Sequence, residues 1–246
     1  MNAKDSTLRH LLDLCRKSER AGIRQYSGFL SPAEQDDFLR CPEAAEYTFS
    51  FLGGYEAAER KILVAGTGGE PDPPISVIAV SPKSEKFAED LTHRDYLGAI
   101  LGLGIERSLI GDILVRDRRA WFFCLSSAAE LLVSSLTEVR RTAVRAELSS
   151  FSVPELRPRY APLRLNVASE RLDAVVAAFA GVSRGQANLL FSSEKVFVNG
   201  RIAADRSARL KEGDVLSVRG YGKAVYDGIG RETRKNRLWV SLRKYA

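Results

Sequence analysis

Apolar positions at Leu8, Leu11, Leu12 and Cys15 recur with the spacing of one helix face and predict a helix over residues 7–20. Ser31-Pro32-Ala33-Glu34 marks a second helix start, with Ser as N-cap and Pro at the first position. That helix continues through Gln35 to Arg40 and stops at Cys41-Pro42. The pattern then changes. Thr48–Leu52 predicts a strand, Gly53-Gly54 a turn, Tyr55–Arg60 a short helix and Lys61–Ala65 a strand, and GTGGEPDPP is a loop by composition. Further on, Ile75–Val80, Leu109–Val115, Ala120–Leu125 and Val139–Glu147 read as strands. His93–Leu101, entered through Thr92, and Ser126–Leu136, with Ser126 as N-cap, read as helices, and Arg116–Arg119 is a polar turn between two strands.

The order over residues 75–148 is therefore β-α-β-β-α-β, the split βαβ arrangement of ferredoxin-like and RRM-type domains. That fold serves many functions and assigns none. The aromatic segments with which RRMs stack bases are not evident in it. Residues 149–164 carry Pro154, Pro158 and Pro162 without helical period and predict a semi-rigid linker.

The most informative pattern begins after the linker. Leu172, Val175, Val176 and Phe179 form one helical stripe that ends at Gly181, a residue suited to a C-cap. Ser183 and Gln186 have capping-box spacing for a second helix, whose buried face is Ala187, Leu190 and Phe191. Val196, Val198 and Ile202 flank Asn199-Gly200, a hairpin signal, because a type I′ turn needs positive φ at both central residues. Gly213-Asp214 turns again before Val215, Leu216 and Val218, and Leu238, Val240 and Leu242 alternate as a strand does. Arg184 falls at the first helical position, beside free backbone N–H groups that favour an anion such as phosphate. Arg171, Lys195, Arg201, Lys211, Arg219 and Lys223 add positive charge around the same unit.

RLD, then SR ten residues beyond the Asp, then K-V-x-V-N-G and EGD-V-L-x-V closely resemble the S4-type RNA-binding domain over roughly residues 169–220. The resemblance implies a helix-turn-helix-like pair on a small sheet that grips structured RNA by its backbone. Ser183, Arg184 and neighbouring basic positions would face RNA, and Asp173 would brace Arg171 or a helix end. The family's usual Gly before K-V-x-V is absent, with Glu194-Lys195 in its place.

Charge supports a polyanion partner for this third of the chain. Leu163 to Ala246 carries 16 Lys and Arg against 8 Asp and Glu, a surplus of +8, while residues 1–162 come to −2. Arg231, Arg234, Lys235, Arg237, Arg243 and Lys244 extend the basic surface. Tyr221, Tyr226, Trp239 and Tyr245 either stack on bases or pack the small sheet. The three Cys and two His are too scattered for a disulfide framework or a zinc site and suit a reducing cytoplasm. No apolar run has the length of a transmembrane helix, and the N-terminus does not have the form of a signal peptide.

Two motifs imitate enzymes. Gly66-Thr67-Gly68-Gly69 follows a strand, but prolines replace the helix that would receive a pyrophosphate. His93-Arg94-Asp95 matches a kinase catalytic loop only locally, with Ile100 where a metal-binding Asn belongs. Instead GGYEAAERK together with HRDYLGAILGLGIERSLIGDILV closely resembles the YlmH family, from about Phe49 to the end. That resemblance implies binding to RNA of the large ribosomal subunit and to tRNA, a place in ribosome-associated quality control of stalled nascent chains, and no enzymatic activity. It leaves His93-Arg94-Asp95 open. Either Asp95 pairs with Arg94 or Arg107 to fix the central domain, or Arg94 and Arg107 contact RNA.

The expected architecture is α+β. It comprises an N-terminal helical and mixed segment (1–70), a ferredoxin-like, RRM-like βαββαβ domain (75–148), the linker (149–164) and an S4 domain with a C-terminal strand extension (165–246). The expected RNA-facing set is Arg171, Ser183, Arg184, Gln186, Lys195, Asn199, Arg201, Lys211, Arg219 and Lys223. No cofactor, metal or membrane is expected. An RNA-modifying enzyme of pseudouridine synthase or methyltransferase type and a division-linked protein adaptor are the alternatives.

Overall fold

The computed structural model describes residues 3–68, 73–149, 160–232 and 237–245. Two compact units divide the chain, Met1–Arg157 and Pro158–Ala246.

The first unit is built in four layers. α1 (Ala3–Ala21), β1 (Gln25–Leu30), α2 (Pro32–Leu39), β2 (Phe49–Leu52) and β3 (Lys61–Ala65) come first, with the strands in the order β1-β3-β2. The capping box at Ser31 and Glu34 closes the start of α2. Leu11, Leu12, Cys15 and Phe38 of the helices pack on Leu30, Leu63 and Ala65 on one face of this sheet. Its other face carries Phe29, Ile62 and Val64, which meet Ile75, Val77, Trp121 and Phe123 of a second sheet.

That second sheet contains β4 (Ile75–Pro82), β5 (Ile110–Arg116), β6 (Arg119–Leu125), β7 (Glu138–Val139) and β8 (Thr142–Ser149), in the antiparallel order β5-β6-β4-β8-β7. With α3 (His93–Gly102) and α4 (Ser126–Ser135) this is the split βαβ order, extended by β7 at one edge. Ala120, Phe122 and Cys124 of β6 face the helices, and Trp121 and Phe123 face the N-terminal sheet. Burial on both faces accounts for the unbroken apolar run in β6. The face on which an RRM stacks bases is thus covered by β1–β3.

One carboxylate ties the two sheets together. Asp112 of β5 accepts from the Tyr55 hydroxyl at 2.9 Å and from the Glu59 and Arg60 backbone N–H groups at 2.7 and 3.0 Å. The Arg60 guanidinium donates to the carbonyls of Phe29, Ile110 and Arg107. Arg107 in turn donates to the carbonyls of Ile110 and Gly111. Burial, helped by Arg60 alongside, lowers the Arg107 pKa to about 10. At Gly111 a β-carbon would stand 2.7 Å from the Phe29 ring, so only glycine fits this close approach.

Several local expectations need correction. Tyr55–Arg60 is a turn segment rather than a helix, because Asp112 takes the backbone N–H groups that a helix would use. Val139–Glu147 is not one strand. It breaks at Arg140-Arg141, where Arg140 has φ +53°, and resumes as β8. Leu125, not Ser126, is the N-cap of α4, and the Ser126 hydroxyl lies against that of Ser76. Asp95 pairs with neither Arg94 nor Arg107. It caps α3 through Thr92 and meets Arg140 at 3.1 Å. Strand β1 was not anticipated, since Ser27-Gly28 interrupts its apolar alternation.

The second unit is a six-stranded antiparallel sheet under two helices. Its elements are β9 (Tyr160–Val167), α5 (Leu172–Ala180), α6 (Arg184–Ser192), β10 (Val196–Val198), β11 (Arg201–Ile202), β12 (Val215–Val218), β13 (Gly222–Glu232) and β14 (Leu238–Tyr245), with strand order β11-β10-β12-β13-β14-β9. Val175, Val176, Phe179, Leu190 and Phe191 cover Val196, Leu216, Val218, Ala224, Val240 and Leu242. Residues 160–164, expected in the linker, are paired strand, because β9 matches β14 from Leu238↔Val167 to Tyr245↔Tyr160. The remaining linker residues from 150 to 159, part of the GTGGEPDPP loop, and Arg234 and Lys235 lie outside the described residues. So does the side chain of Arg231.

Asp112→Ala should lower the stability of the first unit by about 2–3 kcal/mol, because it strands partly buried donors, while Tyr55→Phe removes the hydroxyl's bond to Asp112 and should cost about 1 kcal/mol. Hydrogen exchange would register the loss at Glu59 and Arg60. Unchanged protection there in Asp112→Ala would refute the role given to this carboxylate.

Candidate RNA-binding surface

Two helix N-termini lie side by side in the second unit, and they differ. α5 and α6 meet at 104° across Gly181–Ser183. Gly181 has φ +65°, and its N–H and that of Val182 return to the Ala178 and Ala177 carbonyls, closing α5. The start of α5 is closed as well. The Leu172 and Asp173 N–H groups donate to the Ala208 and Arg206 carbonyls of a loop that also bridges Arg171 to Arg209. Asp173, nearly buried, adds negative charge to this first turn.

α6 starts differently. Ser183 and Gln186 form the expected capping box, with the Gln186 N–H on the Ser183 hydroxyl at 3.2 Å and the Ser183 N–H on the Gln186 carbonyl oxygen at 3.1 Å. The surface at Gly185 is open, where a β-carbon would meet only the Ser183 hydroxyl at 3.9 Å. Arg184 is exposed at the first helical position. A cation at the positive end of a helix is disfavoured on its own. Asp173 offsets it from 3.6 Å, and the same carboxylate takes a two-pronged contact from Arg171 at 3.2 and 3.3 Å. Arg184 also reaches the Ser169 hydroxyl at 3.3 Å. Both side chains keep about half their surface exposed, at 49% for Arg171 and 53% for Arg184.

The other expected residues fall into separate groups. Lys195 and Arg219 are adjacent, since the Arg219 N–H donates to the Lys195 carbonyl at 2.8 Å. The Arg219 guanidinium lies over the Phe197 ring, 4.6 Å from its centroid, and Lys223 lies over Tyr245 at 5.5 Å. Arg201 and Lys211 lie towards the opposite end of β10 and β12, by the Asn199-Gly200 hairpin. Asn199 and Gly200 have φ of +50° and +77°, as the turn requires. The Asn199 side chain is engaged by its own fold, donating to Asp214 and accepting from the Val215 N–H. The ten residues therefore do not converge on one point. Arg171, Ser183, Arg184 and Gln186 form one group at the helix starts, Lys195, Asn199, Arg201, Lys211 and Arg219 lie at strand ends, turns or the edge strand β11, and Lys223 sits on the interior strand β13. Tyr226, one of the four candidate stacking aromatics, is buried beneath the helices, whereas Trp239 and Tyr221 are exposed.

Sequence reasoning missed the loop Asp205–Arg209, whose carbonyls close α5 and whose Arg206 reaches Ser192. It has no periodic signal. It also missed Phe197, which the alternation Val196-Phe197-Val198 would have placed on the outer face. Among the described residues, no three His, Cys, Asp or Glu side chains cluster as a metal site requires. No single helix there is long and apolar enough to cross a membrane.

Residues 72–152 match the family described as "Putative RNA-binding domain in YlmH", and residues 170–216 match the S4 domain. The "Ribosome-associated protein quality control protein P2" of Bacillus subtilis (strain 168) is 30% identical, over 93% of this chain and 96% of that protein. The chain belongs to the YlmH family. "Cell division protein ylmH from Streptococcus pneumoniae" is similar in structure, with a TM-score of 0.50 and 25% identity over 62% of this chain and 94% of that one. As a YlmH-family member the chain carries two regions that match RNA-binding families, the second of which contains the start of α6. The position of the S4 glycine is also explained. Glu194 has φ +53°, the left-handed conformation that glycine adopts without cost.

Ser183→Ala should cost about 1 kcal/mol by removing the helix cap. Glu194→Gly relieves a conformation that costs an L-residue roughly 1–2 kcal/mol, part of which is lost again to the freer unfolded chain. Thermal melts should move down for the first variant and up, by up to about 1 kcal/mol, for the second. A fall for Glu194→Gly would show that the Glu194 side chain stabilises the fold.

Proposed function

We propose that this YlmH-family protein binds RNA of the large ribosomal subunit and tRNA through the start of α6 and its flanking cations. It acts there in ribosome-associated quality control of stalled nascent chains, by binding rather than by chemistry. The observation that carries the reading is the contrast between the two helix starts. α5 is closed by carbonyls and a carboxylate, while α6 is open at Gly185 and flanked by Arg184 and Arg171. An open helix start flanked by two half-exposed arginine side chains suits a phosphate. The surplus of +8 in residues 163–246 supplies the sequence-independent attraction to a polyanion. The name of the Bacillus subtilis relative, which matches over nearly the whole chain, supports the ribosome as the setting.

Within this reading Ser183 and Gln186 hold the helix start in shape, and Arg171, Arg184, Lys195, Arg201, Lys211, Arg219 and Lys223 meet phosphates. Asn199 acts through the hairpin geometry. Recognition rests on RNA shape more than on sequence, as expected of backbone contacts.

Arg184→Glu and Lys195→Glu should each reduce cosedimentation with large ribosomal subunits. Lys195→Ala should flatten the slope of log affinity against log salt by about one, because one phosphate fewer is neutralised. Retention of full subunit binding by both charge reversals would remove these residues from the interface.

A further inference from the structure

We propose that the outer face of the six-stranded sheet, opposite α5 and α6, is a second RNA-contacting surface and that it takes unpaired nucleotides. Along each strand, alternate residues leave the helix-covered core and emerge on this face. Register aligns them across the sheet. Phe197 pairs with Ser217, Ser217 with Lys223, and Tyr245 with Tyr160. The Lys223 ammonium over the Tyr245 ring joins the two halves into one row. That row crosses β10, β12, β13, β14 and β9, a span of about 19 Å at the usual strand spacing. Trp239, on the same face of β14, is 41% exposed.

The chemistry of the row identifies its ligand. Each of its rings carries a cation or another ring. Arg219 lies over Phe197, Arg243 over Tyr160 at 5.1 Å, and Tyr160 and Tyr245 meet edge-on at 5.0 Å. Aromatic faces supply stacking for bases of any sequence, and interleaved guanidinium and ammonium groups supply partners for phosphates. One carboxylate, Asp227, engages Arg243, leaving the row positive on balance. A protein-docking patch would instead be depleted of charge at its centre. Only unpaired bases offer faces to such a surface, since bases in a duplex are already stacked. The site differs in position and in ligand from the start of α6, which is read as a contact to phosphates of structured RNA.

The two tryptophans make the test direct. Trp121 is buried in the first unit and Trp239 is exposed. Titration of the full chain with single-stranded octauridylate should quench Trp239 emission, and a duplex of equal length should not. Trp239→Phe should abolish the quenching and keep most of the affinity. Trp239→Ala and Phe197→Ala should each weaken octauridylate binding by about fivefold to a hundredfold, the usual range for removing one stack. Arg184→Glu should leave the quenching intact, so failure here would be separable from failure at α6. The proposal is overturned if the single strand does not quench, if the duplex quenches equally, or if both alanine variants bind with unchanged affinity and native circular dichroism. It is also overturned if Trp239 emission shifts with protein concentration in the absence of RNA, which would assign the face to a second copy of the chain.

Discussion

The RNA-binding module depends on the Asp173 carboxylate. It lies nearly buried in the first turn of α5, where a negative charge is favoured by the helix dipole. From there it receives Arg171 and stands 3.6 Å from Arg184, so one group steadies the starts of both helices. Without it two guanidinium groups would approach each other beside helix ends that already repel cations. The same carboxylate decides which helix can receive an anion. It makes the start of α5 unsuitable for phosphate and leaves α6, whose N-terminal surface is open, as the favourable one.

The two units treat their sheets in opposite ways. In the first, the ferredoxin-like sheet is covered by α3 and α4 on one face and by β1–β3 on the other, with Trp121 and Phe123 packed between sheets. A fold that elsewhere binds RNA on an open sheet is here a closed sandwich. Any RNA contact from residues 72–152 must therefore come from edges, loops or helices. In the second unit α5 and α6 cover one sheet face, and on the other Trp239 and Arg243 are exposed while Tyr160, Phe197, Lys223 and Tyr245 are half-buried. Asp112, Arg60 and Arg107 explain why the first sandwich is closed. Asp112 and Arg60 form bonds from one sheet to the other, and Arg107 bonds the carbonyls of its own segment beside them.

What was legible in the sequence followed from local chemistry. The capping boxes at Ser31 and Ser183, the left-handed closure at Gly181 and the Asn199-Gly200 hairpin depend on residues within a few positions of one another. Each has the geometry that its residue types predict. The S4 helix pair was legible for the same reason. The failures were non-local. Tyr55–Arg60 has helical composition, but Asp112, more than fifty residues away, holds its backbone in a turn. Residues 160–164 look like linker because of their prolines, but β14 supplies a partner strand from the far end of the chain. Among the site residues, charge could be counted but direction could not. Nothing near Asn199 in sequence announces Asp214 as its partner, and nothing near Tyr226 announces that it faces the helices.

The separation of the candidate site into a helix start and a sheet follows from what each can recognise. Contacts to phosphate fix register and orientation and carry no sequence information. A helix start flanked by Arg171 and Arg184 can hold a backbone only by its charge and spacing. Such a contact would serve a rigid, folded RNA, where phosphate positions are set in advance and recognition is of shape. The sheet offers the complementary contact, with base faces in place of phosphates, and it requires RNA that is locally open. A single small module with both surfaces can distinguish a folded RNA with an adjacent unpaired segment from a continuous duplex. Neither surface achieves that discrimination alone, and it requires no base-specific hydrogen bond.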